Sequence, residues 1–343
     1  MAISMRTLIK LCALLACANF VANSAQAQNS ARPDLEGIWT NASLTRLSRP
    51  AGFETLIVTP EEARVIAANT PIAQLEGGLD EVGDISDVPS VASEDFGTRA
   101  YNSFWVDPGS NLALVKGDYR SSLVVIPENG QVPGAKMPKA DYEYRGSFRT
   151  RYATGVGDAR GPEAIPNAER CLLGFSNTAG PGMLPALYNS TYQFVQTEDY
   201  VMILAEMVHD ARIIPIYDSA AEARANHRPL VLEQWFGDSV GWYEEDMLVV
   251  ETVNIKPLQL GQSVIPITKQ GNIIERFSRY SEDEIFYQFT VDDSNLYSEP
   301  WTAELSFYPT DAGLYEYACH EGNYSMPGIL AGARRLEREE AAR

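Results

Sequence analysis

The stretch Glu284-Ile285-Phe286-Tyr287-Gln288-Phe289-Thr290-Val291 decides the fold. Ile285, Tyr287, Phe289 and Val291 fall on one face and Phe286, Gln288 and Thr290 on the other, the period of two that belongs to an extended strand. The polar turn Ser281-Glu282-Asp283 separates it from residues 273–280, which predicts a hairpin. The unit recurs outward: residues 242–243 and 247–253 flank Glu244-Glu245-Asp246, and residues 192–197 and 200–208 flank Glu198-Asp199. Residues 301–308 and 314–319 predict two more strands, and residues 326–343 a closing helix rich in Ala, Glu and Arg.

Nearer the start, residues 34–40 predict a first strand, and residues 113–116 and 121–127 two short ones. Thr59-Pro60-Glu61-Glu62 places a capping threonine, proline at the first helical position and glutamate at the third, before a helix over residues 63–69. Successive hairpins predict an all-β antiparallel meander that removes its edges by closing into a barrel of about eight strands, or folds as a sandwich. A barrel of that size holds packed side chains or one small ligand. It carries an irregular N-terminal extension and a C-terminal helix, dividing the chain into residues 1–27, 28–160 and 161–343. No βαβ alternation supports a nucleotide-binding sheet.

With 343 residues, 45% of them hydrophobic, the chain is long enough to bury a core. Its 27 Lys and Arg against 46 Asp and Glu give a net charge of −19, at which a basic face is hard to assemble, so nucleic acid and anionic membranes are poor partners. Residues 71–98 hold seven acids and no Lys or Arg, the composition of a solvated loop. A local run of cations follows: Lys136, Lys139, Arg145, Arg149, Arg151, Arg160 and Arg170. These form salt bridges to the acidic face or a rim that recognises an anionic group.

Residues 1–27 read as an export signal. Arg6 and Lys10 precede an apolar stretch too short to span a bilayer, and Ala25-Gln26-Ala27 is a small-x-small cleavage pattern. The destination is the periplasm or the exterior, with cleavage after Ala27. The alternative is a lipoprotein box, Leu14-Leu15-Ala16-Cys17, that would leave Cys17 lipidated. No other stretch is apolar enough to cross a membrane. With Cys12 and Cys17 in the signal, Cys171 and Cys319 remain in an oxidising compartment and are expected to pair. A bond across so long a loop stabilises by roughly 4–5 kcal/mol on the chain-entropy model.

Three histidines make each one worth weighing: His209, His227 and His320. His209-Asp210-Ala211-Arg212 gathers a titratable base, a carboxylate and a fixed cation at a strand end. His209 and Asp210 converge only if a bulge or turn intervenes; otherwise Asp210 and Arg212 form a structural salt bridge. His320 and Glu321 follow the expected disulfide, which would hold them rigidly. His227, in Asn226-His227-Arg228-Pro229, is expected to be exposed. Gly237-Asp238-Ser239-Val240-Gly241 matches the letters of the serine-hydrolase elbow, but a hairpin follows where that motif needs a helix. No zinc-binding spacing occurs, and no metal or cofactor is expected.

Several blocks resemble a family of exported bacterial proteins of unestablished activity. They are Gly37 to Asn41, Glu206 to Pro215, Gly237 to Gly241, Leu248 to Thr252, Pro300 to Ala303 and Glu316 to Tyr324. Tyr243 and Glu245 depart from the Trp and Gly usual there, and the loop at residues 217–229 is longer. The resemblance implies a lipocalin-like or calycin-like barrel and points to His209, Asp210, Arg212, His320 and Glu321. The leading expectation is an exported enzyme acting on a small, partly apolar molecule by cofactor-independent acid–base chemistry of the lyase, isomerase or hydrolase type. In it His209 is general acid or base, Asp210 orients it, Arg212 clamps an oxyanion, and His320 with Glu321 forms a second proton-transfer pair. Glu206, Trp301, Tyr317 and Tyr324 would line the pocket. The alternatives are a non-catalytic periplasmic small-molecule binding protein of lipocalin type, and a structural envelope protein whose barrel is packed without a pocket.

Overall fold

The computed structural model describes residues 32–70, 109–134, 159–174, 177–186, 188–261 and 263–343. The stretch expected to be an export signal, the acidic stretch at 71–98 and the cations from Lys136 to Arg151 lie outside the described residues. Nine strands close a barrel: β1 (Gly37–Thr40), β6 (Thr191–Gln196), β7 (Tyr200–Ala205), β8 (Ala211–Tyr217), β9 (Asp238–Glu244), β10 (Met247–Val253), β11 (Asn272–Ser281), β12 (Glu284–Asp292) and β13 (Trp301–Pro309). They pair in that order, and β1 closes the ring on β13 through Thr40↔Tyr308. A short β5 (Val124–Ile126) joins the other end of β13. Beside the barrel, β2 (Ile57–Val58), β4 (Asp118–Arg120) and β3 (Leu114–Val115) form a small sheet. Helix α1 (Pro60–Ala68) packs on it through Ala63, Ile66 and Ala67. The α1 capping box forms as its sequence predicts, with the Thr59 hydroxyl accepting from Glu62 N–H and the Glu62 carboxylate accepting from Thr59 N–H.

Three expectations are corrected. The meander is interrupted once: β8 and β9 run parallel, because α2 (Ala220–Ala225) and the loop after it return the chain to the end where β8 began. Residues 314–318 form no strand, since β13 is already paired by β12, β1 and β5; the chain there is irregular and enters a short helix, α3 (Cys319–Gly322), before α4 (Ser325–Ala341). His227 is largely buried. Its Nδ1 lies 2.8 Å from Asp238 Oδ2 and its Nε2 3.5 Å from Glu251 Oε1. Burial disfavours the imidazolium, but hydrogen bonds to the two carboxylates outweigh it and raise the pKa to about 9. The contact ties the long loop after α2 to the outer face of β9 and β10, where Ala223, Val240, Trp242 and Val249 also pack.

The inward face of the deciding strand meets the other walls in an aromatic interior. Tyr287 stacks on Phe277 at 4.7 Å between ring centroids and lies 5.5 Å from Phe307, which meets Tyr192 and Phe194 edge-on. Such rings fill a small barrel. At one end a buried polar network completes the filling. Arg212 of β8 donates from Nη1 to Glu275 Oε1 of β11 at 3.0 Å, and its Nη2 donates to Glu275 Oε2. The same Nη2 reaches Thr252 Oγ1 at 3.3 Å and Ser239 Oγ at 3.4 Å. The Tyr287 hydroxyl donates to Glu275 Oε1 at 2.6 Å and accepts from Met183 N–H at 2.9 Å. Burial, then the adjacent carboxylate, holds that phenol well above its ordinary pKa, so it remains a donor.

The loop through Gly180 and Gly182 closes over the network. Gly180 has φ +84° and a Cβ there would sit 2.6 Å from Arg212 Nη1, so only glycine allows this approach. Removing one partner of such a pair strands a buried charge, at a cost of about 3–5 kcal/mol, whereas replacing both by apolar groups is often neutral. Glu275→Gln is therefore expected to lower unfolding stability in urea by about that amount. The double change Arg212→Met with Glu275→Leu is expected to recover most of it. A Glu275→Gln protein as stable as the parent would show that the pair does not hold the barrel end.

Candidate functional site

The candidate site is built where β1, β6, β7 and β13 end. Register pairs Thr40 with Thr191 and with Tyr308, and Tyr192 with Ala205, so these termini share one rim. After β7 the chain makes a tight turn at Met207–His209, in which Val208 (φ +61°) and His209 (φ +54°) are both left-handed. Neither is glycine, and each such residue costs of order 1 kcal/mol, strain that the surrounding contacts must hold. Ala205 N–H donates to Asp210 O at 2.8 Å and His209 N–H to Glu206 O at 3.3 Å, closing the turn.

A second segment lies over this rim. Cys171 and Cys319 are bonded, as the cysteine arithmetic predicts, across a sequence separation of 148 residues. Tyr317 N–H donates to His209 Nε2 at 2.9 Å, and Asn323 Nδ2 donates to Glu169 O at 2.7 Å. Three ties therefore pin residues 317–323, one to the turn after β7 and two to the segment around Glu169 and Cys171. Between this segment and residues 40–42 and 188–191 lies a cleft of about 740 Å³, with Glu206 in its wall. Asn189, itself left-handed at φ +54°, donates from its side-chain amide to Glu206 Oε1.

The sequence-predicted residues separate into groups. Glu206, Tyr317 and the disulfide's Cys319 line the cleft. His209 is exposed and spends Nε2 on the Tyr317 backbone, while Asp210 turns away and accepts from Gly174 N–H at 3.3 Å. The turn that would let them converge is present, yet it does not pair them. Arg212 lies inside the barrel, bound to Glu275, and offers no clamp at the cleft. His320 and Glu321 are exposed on α3, with no side-chain hydrogen bond or ion pair to any described residue.

Two pocket residues are corrected outright. Trp301 is fully buried against Phe289 and Tyr297 in the barrel interior, because its strand faces the core there. Tyr324 is 85% exposed at the start of α4 and lines no wall of the cleft. Ser239 is the second residue of β9, inside a strand and not on a strand-to-helix turn, with its hydroxyl 2.8 Å from Thr252 Oγ1, which removes the nucleophile-elbow geometry. The cleft residues that sequence reasoning passes over are Tyr188, Asn189, Tyr315 and Glu316. Tyr315 and Glu316 fall in residues assigned to a strand by alternation, which hides their place in a wall. Among the described residues, no group of three or more His, Cys, Asp or Glu side chains gathers to hold a metal ion.

Asp210 is the most perturbed carboxyl at this end of the barrel. Burial raises its pKa to about 7, opposed only by the Gly174 hydrogen bond. A carboxyl with a folded pKa above its unfolded value stabilises fully below the unfolded value, 3.8, and loses that contribution as pH rises through about 7. Asp210→Asn keeps an acceptor for Gly174 without a charge. It is expected to raise the melting temperature at pH 8 and to leave it unchanged at pH 4. An Asn variant less stable than the parent at pH 8 would contradict the assignment of burial as the dominant cause.

The chain matches no family model, no curated protein and no solved structure.

Proposed function

We propose that this protein is an exported small-molecule binding protein whose ligand occupies the rim cleft, not the interior of the barrel. The observation that carries the reading is the cleft itself. At about 740 Å³ it lies in the range of small-molecule sites, and its far wall is fixed by a disulfide and two hydrogen bonds. The interior is taken up by aromatic rings and by the Arg212–Glu275 network, so a ligand mode of lipocalin type inside the barrel has no support. Export rests on the leader pattern of residues 1–27 and agrees with a disulfide, which persists in oxidising compartments. Among the described residues no helix is long and apolar enough to cross a membrane.

A second reading keeps acid–base catalysis on the ligand. Its best-suited carboxyl is Asp210, whose pKa of about 7 fits proton transfer near neutrality, but that side chain faces Gly174 and lines no wall of the cleft, so binding is the reading the cleft supports. In that reading His209, His320 and Glu321 remain the other candidates, and Arg212 does not, because its guanidinium is committed to Glu275.

Native mass spectrometry of the protein purified from its host is expected to show a bound small molecule. Ala318 faces the cleft from an exposed position, so Ala318→Trp fills the space without touching the barrel. The variant is expected to lose the bound molecule while keeping the parent's melting temperature. A molecule retained by Ala318→Trp would place the site elsewhere. His209→Ala separates the two readings: binding alone expects weaker affinity as the Tyr317 wall loosens, and catalysis expects turnover that disappears with it.

A further inference from the structure

The charge of the cleft identifies the kind of ligand. Among the described residues its charged lining consists of Glu206 and Glu316, with no Lys, Arg or His. Glu206 is only 5% exposed. Its Oε2 accepts no hydrogen bond and is not sealed from the cleft, so the half-desolvated carboxylate presents an unpaired oxygen to whatever fills that space. Other buried carboxylates in this protein are met by a cation or by several donors. Glu275 is met by Arg212 and Tyr287, and Glu251 by Arg224 and His227. Glu284 is met by Lys116 N–H and the Ser306 hydroxyl, and Asp293 by the N–H groups of Thr268 and Asn295. Glu206 has the neutral side-chain amide of Asn189 alone, on Oε1, and no ion pair with a described residue.

Tyrosines supply the rest of the wall. Tyr188, Tyr315 and Tyr317 line the same cleft, and Tyr315 is 69% exposed with no partner in the barrel core. Aromatic rings attract cations through their quadrupole, most effectively cations that are weakly hydrated, such as alkylated ammonium groups. Tyrosines beside a buried acid, with no base among the described lining residues, repel an anion and leave a neutral molecule nothing to neutralise Glu206. We infer that the cleft takes an organic cation: an alkylammonium group set against Glu206 and the tyrosines, carrying an apolar body along the remaining volume. This rests on the reading of the rim cleft as the ligand site, and narrows that reading to one charge class.

The test is an NMR-detected titration of the full mature chain with three molecules of nearly equal shape. These are choline, the uncharged alcohol in which a carbon replaces its nitrogen, and the tert-butylacetate anion. Choline is expected to bind at least about tenfold more tightly than the alcohol, and the anion not at all. Glu206→Gln preserves shape and the Asn189 contact; it is expected to weaken choline about 10- to 100-fold and to leave the alcohol unchanged. Tyr315→Leu, at an exposed position, is expected to weaken choline several-fold, and circular dichroism checks that both variants are folded. Alcohol or anion binding as tightly as choline, in a manner abolished by Ala318→Trp, would overturn the cation assignment and leave the cleft reading standing. Choline binding that Ala318→Trp does not affect would overturn both. No binding of choline through the millimolar range would overturn the cation assignment alone, the cleft being judged by its co-purifying molecule.

Discussion

The buried pairing of Arg212 with Glu275 sets the terms for everything else at this end of the molecule. A guanidinium and a carboxylate removed from water must face each other, and here they do so across the barrel, from β8 to β11, with Tyr287, Thr252 and Ser239 completing the shell. Gly182 N–H also donates to Glu275 Oε1 at 3.3 Å, so the loop above is bound to the pair and caps the barrel mouth. The aromatic layer of Phe277, Tyr287 and Phe307 fills the space beneath. A barrel sealed in this way has its open space at the rim, not inside.

The rim becomes a cleft because the C-terminal segment is held over it. The Cys171–Cys319 bond, the Tyr317–His209 hydrogen bond and the Asn323–Glu169 hydrogen bond act on neighbouring residues, so each limits the freedom the others must restrain. His209 meets this segment from a left-handed backbone conformation, and the contact is what that strained turn delivers. The histidine thus serves as a strut, and the acid beside it, Asp210, accepts from Gly174 in the segment that carries Cys171.

Much of the barrel was legible from local pattern. Alternation located β11, β12 and β13 within a residue or two, the Thr59 and Glu62 spacing gave the α1 cap, and cysteine counting gave the disulfide. Long-range events carried no local signal. Nothing in Gly37–Thr40 says that it closes the ring onto residues 308 and 309, and nothing near Tyr217 says that the next strand runs parallel. The candidate site shows the same limit. No local pattern says that Arg212 and Trp301 lie in a filled interior, so residues suited to chemistry on paper belong to the core. Glu206 and Tyr317 stand in the cleft because segments more than a hundred residues apart meet there, and Tyr188 and Tyr315 join them by the same route. His227 was hidden for a related reason: its carboxylate partners, Asp238 and Glu251, come from two different strands.

The most direct test is a crystal structure of the protein grown with choline. The ammonium is expected in the rim cleft beside Glu206, with Arg212 still bound to Glu275 and the interior rings unmoved. An ammonium found among those rings, or an Arg212–Glu275 pair opened to admit it, would contradict the claim that this barrel binds at its rim.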